Sequence, residues 1–409
     1  MGFFVSALIA RRLGPDLFGE FSYGLAIGTM TSGIAQLGMD GVLVRELARR
    51  PSESRALLAT GAVLRIAGAL GLWLAVFLAV TSGCSTRLSG SSPEVIIVFA
   101  LSAVNAVGVV PLYWFQSQGR TWHCTWPQLV VFLTASAYRL WLVRHNGGVV
   151  DFAWALVLEY VVAGVVAYIQ VRRVGQGRWR FSATVAGELW RASWPMWIAA
   201  IAFLGYTRFD QILLRQLAGP RELGLYTVAG RLTEQASLLP AAMSVPLLGM
   251  LATATSEAQL CDGLRRYGSI CVLFAYLFVL GVWLAGPFFF PLCFGQAYAP
   301  AATIANIQIL AAPLLAVGYA RNQVLLIQGR SCFLMLTMLA GMVANLGLNL
   351  LLIPRFGGEG AAWAGVAAQA LSLVLSTAFH PSLHWALQAQ LKSMFAPWIG
   401  IRCYLGHTS

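Results

Sequence analysis

The sequence predicts an all-α polytopic membrane protein built as two fused copies of one unit. Charged residues make up only 10% of the 409-residue chain, whereas soluble domains carry about 25%. From Tyr267 to Ala320 there is no Asp, Glu, Lys or Arg, and a bilayer core needs about 20 apolar residues per helix. The apolar runs do not alternate in polarity, which argues against a transmembrane β-barrel.

A ten-residue segment that occurs twice predicts the duplication. The first copy, LGPDLFGEFS, begins at Leu13, and the second, AGPRELGLYT, begins at Ala218. The matched pairs are Gly14 with Gly219, Pro15 with Pro220, Gly19 with Gly224 and, in a weaker echo, Gly148 with Gly357 and Trp154 with Trp363. Both copies lie between long apolar runs. Fused repeats are typical of secondary transporters, which bind substrate between their halves.

The apolar runs place the membrane spans along the chain. They lie near residues 21–41, 57–80, 94–117, 123–143, 150–170, 194–213, 224–250, 268–292, 301–326, 332–353 and 359–380, with a short one at 1–10. We expect the first helix to be truncated, because the repeat aligns Met1 with Tyr206, well inside a span. The predicted domains are an N-terminal lobe (1–171), a basic cytoplasmic linker (172–193), a C-terminal lobe (194–380) and a cytoplasmic amphipathic tail (381–409).

The distribution of Lys and Arg predicts the orientation. If loops alternate sides, 15 of the 27 basic residues lie on one side and 7 on the other, and the richer side faces the cytoplasm. Both repeated turns then face outward. The net charge of +12 is explained by this topology and does not call for nucleic acid. The linker mixes Arg with Trp179, Phe181 and Trp190, so it is either a solvated connection or a segment lying on anionic lipid.

Motifs for catalysis and cofactors are missing from the sequence. The seven Cys include no C-x-x-C pair, and the five His lie at span ends and in the tail, so we expect no disulfide framework, no metal site and no cofactor. There is no Walker A loop, no G-x-S-x-G and no H-E-x-x-H. We therefore expect a protein that is not an enzyme and draws on an ion gradient or on the gradient of its substrate.

Charged residues within the spans mark the candidate sites, because they are costly in a bilayer. Arg65 and Arg321 show no partner in their own spans, which predicts contact with substrate; extension of the side chain to the membrane surface is the alternative. Arg231 and Glu234 are three residues apart on one helical face. They form either an internal ion pair or a pair that opens to substrate.

Three further charged residues are weaker candidates. Arg139 lies close to a span end and is a candidate for substrate binding, while Glu159 and Asp210 are candidates for ion coupling. Asp210 and the nearby Arg208 instead mark a membrane interface in the alternative interpretation. Within the spans Arg outnumbers acidic residues by five to three. The Arg guanidinium binds phosphate oxygens in pairs of hydrogen bonds, so this set suits a polyanion better than a cation.

Three stretches resemble one protein family. ARRLGPDLFGEFSYGLA with LGMDGVLVREL, between Ala10 and Leu47, is similar to the N-terminal signature of bacterial polysaccharide flippases of the O-antigen type. The stretch from Arg208 to Leu248 resembles the start of their second half, and LNLLLIPRFGGEGAAWAGV, from Leu348 to Val366, resembles their penultimate loop. These proteins belong to the multidrug/oligosaccharidyl-lipid/polysaccharide exporter superfamily. The shortened first span and Gly358-Glu359 depart from the family pattern.

The resemblance implies about twelve transmembrane helices in two six-helix lobes around a central cavity. It implies a flippase in the bacterial cytoplasmic (inner) membrane that moves undecaprenyl-diphosphate-linked oligosaccharide for lipopolysaccharide, O-antigen or exopolysaccharide assembly. Its partners would be membrane lipids and polysaccharide polymerase machinery. A multidrug cation antiporter of the same superfamily is the first alternative, and it would favour acidic residues in the cavity. A membrane glycan ligase or polymerase is the second, and it would need larger outward loops.

Overall fold

The computed structural model describes residues 2–82, 92–120, 122–174, 179–244, 257–375 and 384–395. Helices make up nearly all of these residues, and no strand occurs among them. The all-α prediction is therefore confirmed. The parts of the linker and tail predictions that fall on 175–178, 381–383 and 396–409 lie outside the described residues, as do 245–250 and 376–380 of two predicted spans.

The chain divides into two compact units, Met1–Gln216 and Leu217–Ser409. The helices of the first unit are α1 (Phe3–Ala35), α2 (Asp40–Arg49), α3 (Ser54–Thr81), α4 (Pro93–Ala100), α5 (Val104–Gly108), α6 (Val110–Ser117), α7 (Trp122–Arg144), α8 (Val149–Val174) and α9 (Ala183–Ala218). Short 3-10 turns precede α3 and join α4 to α5, at Pro51–Glu53 and Leu101–Ala103.

The described helices of the second unit begin after Gly219. They are α10 (Pro220–Thr233), α11 (Glu257–Phe294), α12 (Ala301–Gln308), α13 (Ala311–Ile327), α14 (Ser331–Ala370) and α15 (His384–Phe395). The 3-10 segment Glu234–Ser237 follows α10 and leads into helical residues 238–244. A second 3-10 turn, Gln296–Tyr298, precedes α12, and a π-helical turn, Leu371–Leu375, extends α14.

Glycines with positive φ interrupt two of the long helices, α1 and α14, and a third such glycine separates α9 from α10. Gly14 has φ +75° and ψ 169°, and Gly219 has φ +93° and ψ 175°; a Pro follows each and starts the next helical segment. Proline suits the first helical position because its missing N–H needs no partner there. Gly357, with φ +54° and ψ −130°, interrupts α14, and Gly358 follows it where the other two glycines are followed by Pro. This explains why one long helix corresponds to two predicted spans.

Six described stretches are long and apolar enough to cross a membrane. They are Pro51–Thr81, Pro93–Ser117, Val149–Arg172, Gln259–Phe294, Ala301–Leu325 and Cys332–Leu373. Large apolar side chains remain exposed on them, including Leu70 at 61% and Phe288 at 78%. Surfaces of this kind fit lipid, since a soluble protein rarely exposes large continuous apolar patches. The expectation of a polytopic membrane protein agrees with these helices.

The compact units divide the chain later than the predicted lobes do, because α9 packs on α1. The indole Nε1 of Trp197 donates to the carbonyl oxygen of Ile34 at 2.8 Å. A Cβ at Gly33 would lie 2.5 Å from a methyl carbon of Leu204, so the glycine allows the close approach. The second unit therefore begins at Leu217, at the C-terminal end of α9, whereas the sequence placed the second lobe from residue 194.

The described part of the predicted tail, α15, packs against α11 and α13 in the second unit. Ala389, Gln390 and Ser393 are fully buried there. The Ser393 hydroxyl donates to the carbonyl oxygen of Arg265 at 3.3 Å, and Gly268 leaves room for it on α11. Small residues on both helices permit this contact. Helix α15 is thus integrated into the packing of its unit.

Candidate functional site

Arg65 is fully buried in the first unit and lies at the centre of a polar cluster that reaches the surface at Asp40, whose side chain is 50% exposed. Its guanidinium donates to Oδ1 of Asp40 at 2.7 Å, to the Ala106 carbonyl oxygen at 3.0 Å and to the Tyr113 hydroxyl at 3.2 Å. The Tyr113 hydroxyl donates to the same Asp40 oxygen at 2.5 Å, and its ring centroid lies 5.1 Å from the guanidinium carbon. Arg65 has no partner within its own span, but the structure supplies one from α2.

The turn between α1 and α2 brings Asp40 to Arg65. Two consecutive residues with positive φ, Leu37 and Gly38, reverse the chain there. Asp40 then occupies the first turn of α2, where the helix dipole favours a carboxylate. Gly38 also allows a close approach, since a Cβ there would lie 2.4 Å from the backbone nitrogen of Trp197. The sequence analysis missed this partner because Asp40 lies at the edge of a different span.

Arg139 and Glu159 form a second buried ion pair, between α7 and α8. The Arg139 side chain is fully buried, and 13% of the Glu159 side chain is exposed. Nε and Nη1 of Arg139 have no hydrogen-bond partner in the structure. The structure thus joins a predicted substrate residue to a predicted ion-coupling residue. Their roles remain predictions.

Arg215 and Glu20 form an ion pair that the sequence analysis did not predict. It connects the end of α9 with α1, and both side chains are largely buried. Glu20 lies within the first copy of the repeated segment, and Arg215 lies three residues before the second copy, which begins at Ala218. That placement was the one available signal for the pair.

Arg321 lies on α13 in the second unit and is 1% exposed. Its Nη1 donates to Oδ1 of Asn322 at 3.4 Å, and its guanidinium carbon lies 5.7 Å from the ring centroid of Phe333. A cation over an aromatic face is stabilised by the ring quadrupole. The side chain is therefore held inside the unit, which does not fit extension to the membrane surface.

The remaining predicted residues lie on α9 and around the end of α10. Arg231 is half-buried in the last turn of α10, and Glu234 is exposed at the start of the following 3-10 segment. Asp210 is half-buried on α9, where its Oδ1 accepts from the backbone nitrogen of Gln211 at 2.7 Å. Substrate binding by the first two and ion coupling by Asp210 remain predictions.

Outside the spans, an ion pair ties the end of α2 to α9. Nη1 of Arg50 donates to Oε2 of Glu188 at 2.9 Å. The hydrogen bond and the charge of Glu188 raise the pKa of Arg50. Both side chains are substantially exposed, so we expect this surface pair to contribute little to stability.

A cavity of 320 Å³ lies within the first unit, between α1, α5, α8 and α9, and its lining mixes apolar side chains with hydroxyl and amide groups; we call it the polar cavity. Its lining residues are Leu25, Gly28, Thr29, Ser32, Gly33, Gln36, Ser102, Asn105, Leu156, Tyr160, Ala200, Phe203 and Leu204. The sequence analysis missed it. The available signal was the recurrence of Leu25, Thr29, Ser32 and Gln36 on one face of α1, at helical spacing.

A family profile described as "Polysaccharide biosynthesis protein" matches residues 1–251, more than half of the chain. A search of curated protein sequences finds no significant match. The family match agrees with the resemblance of the repeated segment and of its flanking stretches.

Solved structures share the fold of the whole chain. A structure of the lipid II flippase MurJ in an inward closed conformation aligns with TM-score 0.72 and 12% identity, covering 97% of this chain and 90% of that one. An inward-facing MATE family multidrug resistance transporter of the MOP superfamily aligns with TM-score 0.71 and 13% identity, covering 98% and 96%. A MOP superfamily transporter from Pyrococcus furiosus aligns with TM-score 0.60 and 13% identity, covering 96% and 92%.

These alignments confirm the predicted fold class, an all-α polytopic membrane protein with about twelve helices. The structures with which the chain aligns are those of transporters and flippases. Identities of 12–13% support the fold and do not identify a substrate.

Proposed function

The chain belongs to the polysaccharide biosynthesis protein family, and we propose that it is a flippase for undecaprenyl-diphosphate-linked oligosaccharide. It acts in the bacterial cytoplasmic membrane and moves its cargo by alternating access, without catalysing a reaction. The translocated oligosaccharide then supplies the polymerase that assembles surface polysaccharide. The family match carries this proposal. The fold, shared with a lipid II flippase, supports it.

The buried arginines suit the diphosphate of such a cargo. We assign Arg321, Arg231 and Glu234 to substrate binding, because an Arg guanidinium stays charged at any depth and binds phosphate oxygens in pairs. Arg65 and Arg139 already bind Asp40 and Glu159. They reach the cargo only when those carboxylates are protonated or move away.

Ion coupling follows from the same arrangement. A proton taken up by Glu159 removes the negative charge that holds Arg139 and frees the guanidinium for an anionic ligand. Asp210, half-buried on α9, is the second candidate for coupling. Arginine release and proton uptake would then occur together.

A multidrug cation antiporter is the alternative, and the fold shared with a MATE transporter favours it. Such a protein needs carboxylates that are available to a cation. Two of the carboxylates are instead paired with arginine in the structure, Glu159 with Arg139 and Asp40 with Arg65. The flippase is therefore the better proposal.

The test is complementation of a host strain from which the gene has been deleted. Arg321→Ala should abolish surface polysaccharide, and Arg321→Lys should restore part of it, because Lys keeps the charge and loses the planar fork. Immunoblotting must show equal protein levels. Full complementation by Arg321→Ala would remove this residue from the site. A deletion strain with normal polysaccharide and lost resistance to cationic drugs would favour the antiporter.

A further inference from the structure

The polar cavity of the first unit carries an inference that rests on the proposed function and deepens it. Its lining combines hydroxyl and amide groups with two aromatic rings. Among the described residues that line it, none is charged. We propose that this cavity binds a neutral sugar residue of the lipid-linked oligosaccharide, separately from the diphosphate.

The hydrogen-bonding groups of the cavity are only partly used within the protein. The Ser102 hydroxyl donates to the Gly28 carbonyl oxygen at 2.9 Å, and the Thr29 hydroxyl donates to the Ala26 carbonyl oxygen at 2.9 Å. Both oxygens still have lone pairs that accept. Ser32 is 7% exposed, and its hydroxyl has no hydrogen-bond partner. A buried polar atom left unpaired is unfavourable, so a ligand that offers hydroxyls would satisfy it.

Larger polar side chains and two rings complete the lining. Gln36 and Asn105 present amides that both donate and accept. Tyr160 and Phe203 present flat apolar surfaces beside these groups. A pyranose ring has the matching character, with hydroxyls around its edge and C–H groups on its faces. An alkyl chain would leave the amides unpaired.

The uncharged lining of the cavity does not suit the charged parts of the cargo. The diphosphate needs cationic partners, and none of the described lining residues is Lys or Arg. Arg65 and Arg139 are bound to carboxylates and do not line the cavity, and Arg208, four residues after the lining residue Leu204, does not line it either. An acidic sugar would bury its carboxylate without a cation. A bound metal cation would lack the carboxylates that usually hold it. A neutral sugar needs neither kind of partner.

The size of the cavity sets the length of glycan it takes. Its 320 Å³ is at the small end of the range of about 300–1,000 Å³ for small-molecule sites. It therefore holds one or two sugar residues of a longer oligosaccharide. The first unit would thus recognise one or two sugar residues, independently of the rest of the glycan.

Two near-isosteric variants test the proposal on the purified full chain in lipid nanodiscs. Thr29→Val removes a hydroxyl and Asn105→Leu removes an amide, with little change in volume. Thr134→Val is the matched control, because Thr134 lies on the exposed face of α7 and bonds to its own helix. The two probes are undecaprenyl diphosphate and the lipid-linked oligosaccharide fraction extracted from host cells that lack the gene.

We expect each cavity variant to bind the oligosaccharide probe about tenfold more weakly, as one lost hydrogen bond to a buried group predicts. Binding of undecaprenyl diphosphate should stay within about twofold, and the control should match the wild type. Equal weakening of the binding of both probes, or unchanged binding of both, would overturn the sugar site. If the wild-type protein binds neither probe, the proposed function itself fails.

Discussion

The two units share the backbone of their repeated turn and differ in how they hold a later helix. Gly14 and Gly219 have nearly the same φ and ψ. At the weaker echo of the repeat, the backbone nitrogen of Gly148 donates to Oδ2 of Asp151 at 2.8 Å, within the start of α8. In the second unit, the nitrogen of Gly358 donates to Oε2 of Glu222 at 2.8 Å, on α10.

The contact between Gly148 and Asp151 is a local helix cap. The contact between Gly358 and Glu222 joins two segments far apart in the chain, and we call it the brace. Asp151 is exposed and accepts from the N–H of Gly148, the residue just before its own helix. Glu222 instead ties the repeated turn of the second unit to the point where α14 restarts after Gly357. The repeat therefore preserves the backbone geometry and leaves the stabilising side chains free to differ.

The cavities of the two units also differ, in the polarity of the side chains that line them. The first unit encloses the polar cavity of 320 Å³. The second has a groove of 380 Å³ lined by Leu232, Phe274, Leu277, Phe278, Gly281, Val282, Ala285, Gly286 and Phe289. Every side chain in that lining is apolar. A duplicated fold thus presents two surfaces of different chemistry.

The largest expected effect compares buried polar pairs in the two units. Glu159→Leu leaves the buried charge of Arg139 without its carboxylate partner. It should lower the free energy of unfolding by about 3–5 kcal/mol. In the second unit, Asn345→Leu removes a bond of 2.8 Å to the buried Asn349 and should cost about 1–3 kcal/mol.

Denaturant unfolding of the purified protein in detergent measures both variants. The double variant Arg139→Leu with Glu159→Leu is the control, and it should recover most of the loss because no buried charge remains. Equal losses for Glu159→Leu and Asn345→Leu would show that the charge of the first pair is not what stabilises it.

The next comparison sets Gly357→Ala against Gly148→Ala. Gly357 has φ +54°, and a Cβ there would lie 2.8 Å from Oε2 of Glu222. We expect a loss of about 1–3 kcal/mol from this strained conformation. Gly148 has no positive φ, and the nearest atom to its added Cβ is 3.7 Å away. Thermal unfolding should show almost no change for Gly148→Ala, and a similar shift for both variants would refute the distinction.

A smaller effect should separate the brace from the cap. Glu222→Ala removes the partner of a part-buried N–H between two segments and should cost about 1–2 kcal/mol. Asp151→Ala leaves the N–H of Gly148 to bond with water. This variant should lower the free energy of unfolding by about 0.5–1 kcal/mol. Melting temperatures of the two variants, measured side by side, check the order. The reverse order would mean that the exposed cap is the stronger contact.

The smallest effect concerns the apolar groove. A Cβ at Gly281 meets no atom within 4 Å, so Gly281→Leu should leave the melting temperature nearly unchanged. We expect transport of the lipid-linked oligosaccharide to stay within about twofold of wild type, since the sugar site lies in the other unit. A strong loss of transport at normal stability would assign the groove to the cargo as well, and would weaken the contrast between the units.

Sequence patterns predicted the elements whose cause is local. Long apolar runs predicted the helices, and the Gly-Pro pairs predicted the two turns that the structure confirms by the φ of Gly14 and Gly219. Arg65, Arg139 and Arg321 were selected from the sequence because they lie in predicted spans, whereas the burial of their side chains is a finding of the structure. Each of them is at most 1% exposed.

The ion-pair partners of the buried arginines could not be predicted from the sequence. Asp40 lies 25 residues from Arg65, and Glu20 lies 195 residues from Arg215. Nothing in spacing selects such pairs, because they depend on which faces of two helices meet. The packing of α9 with the first unit has the same origin, and so does that of α15 with the second.

Hydrophobicity and the conformational preferences of Gly and Pro act over a few residues, so the order of amino acids already determines the spans and the repeated turns. The cavity, the ion pairs and the brace from Glu222 to Gly358 arise only when helices pack, since each joins atoms from segments far apart in the chain. Side-chain contacts across helices have no periodicity to reveal them. For that reason the tertiary structure alone decides which buried arginines are held by carboxylates and where a sugar has room to bind.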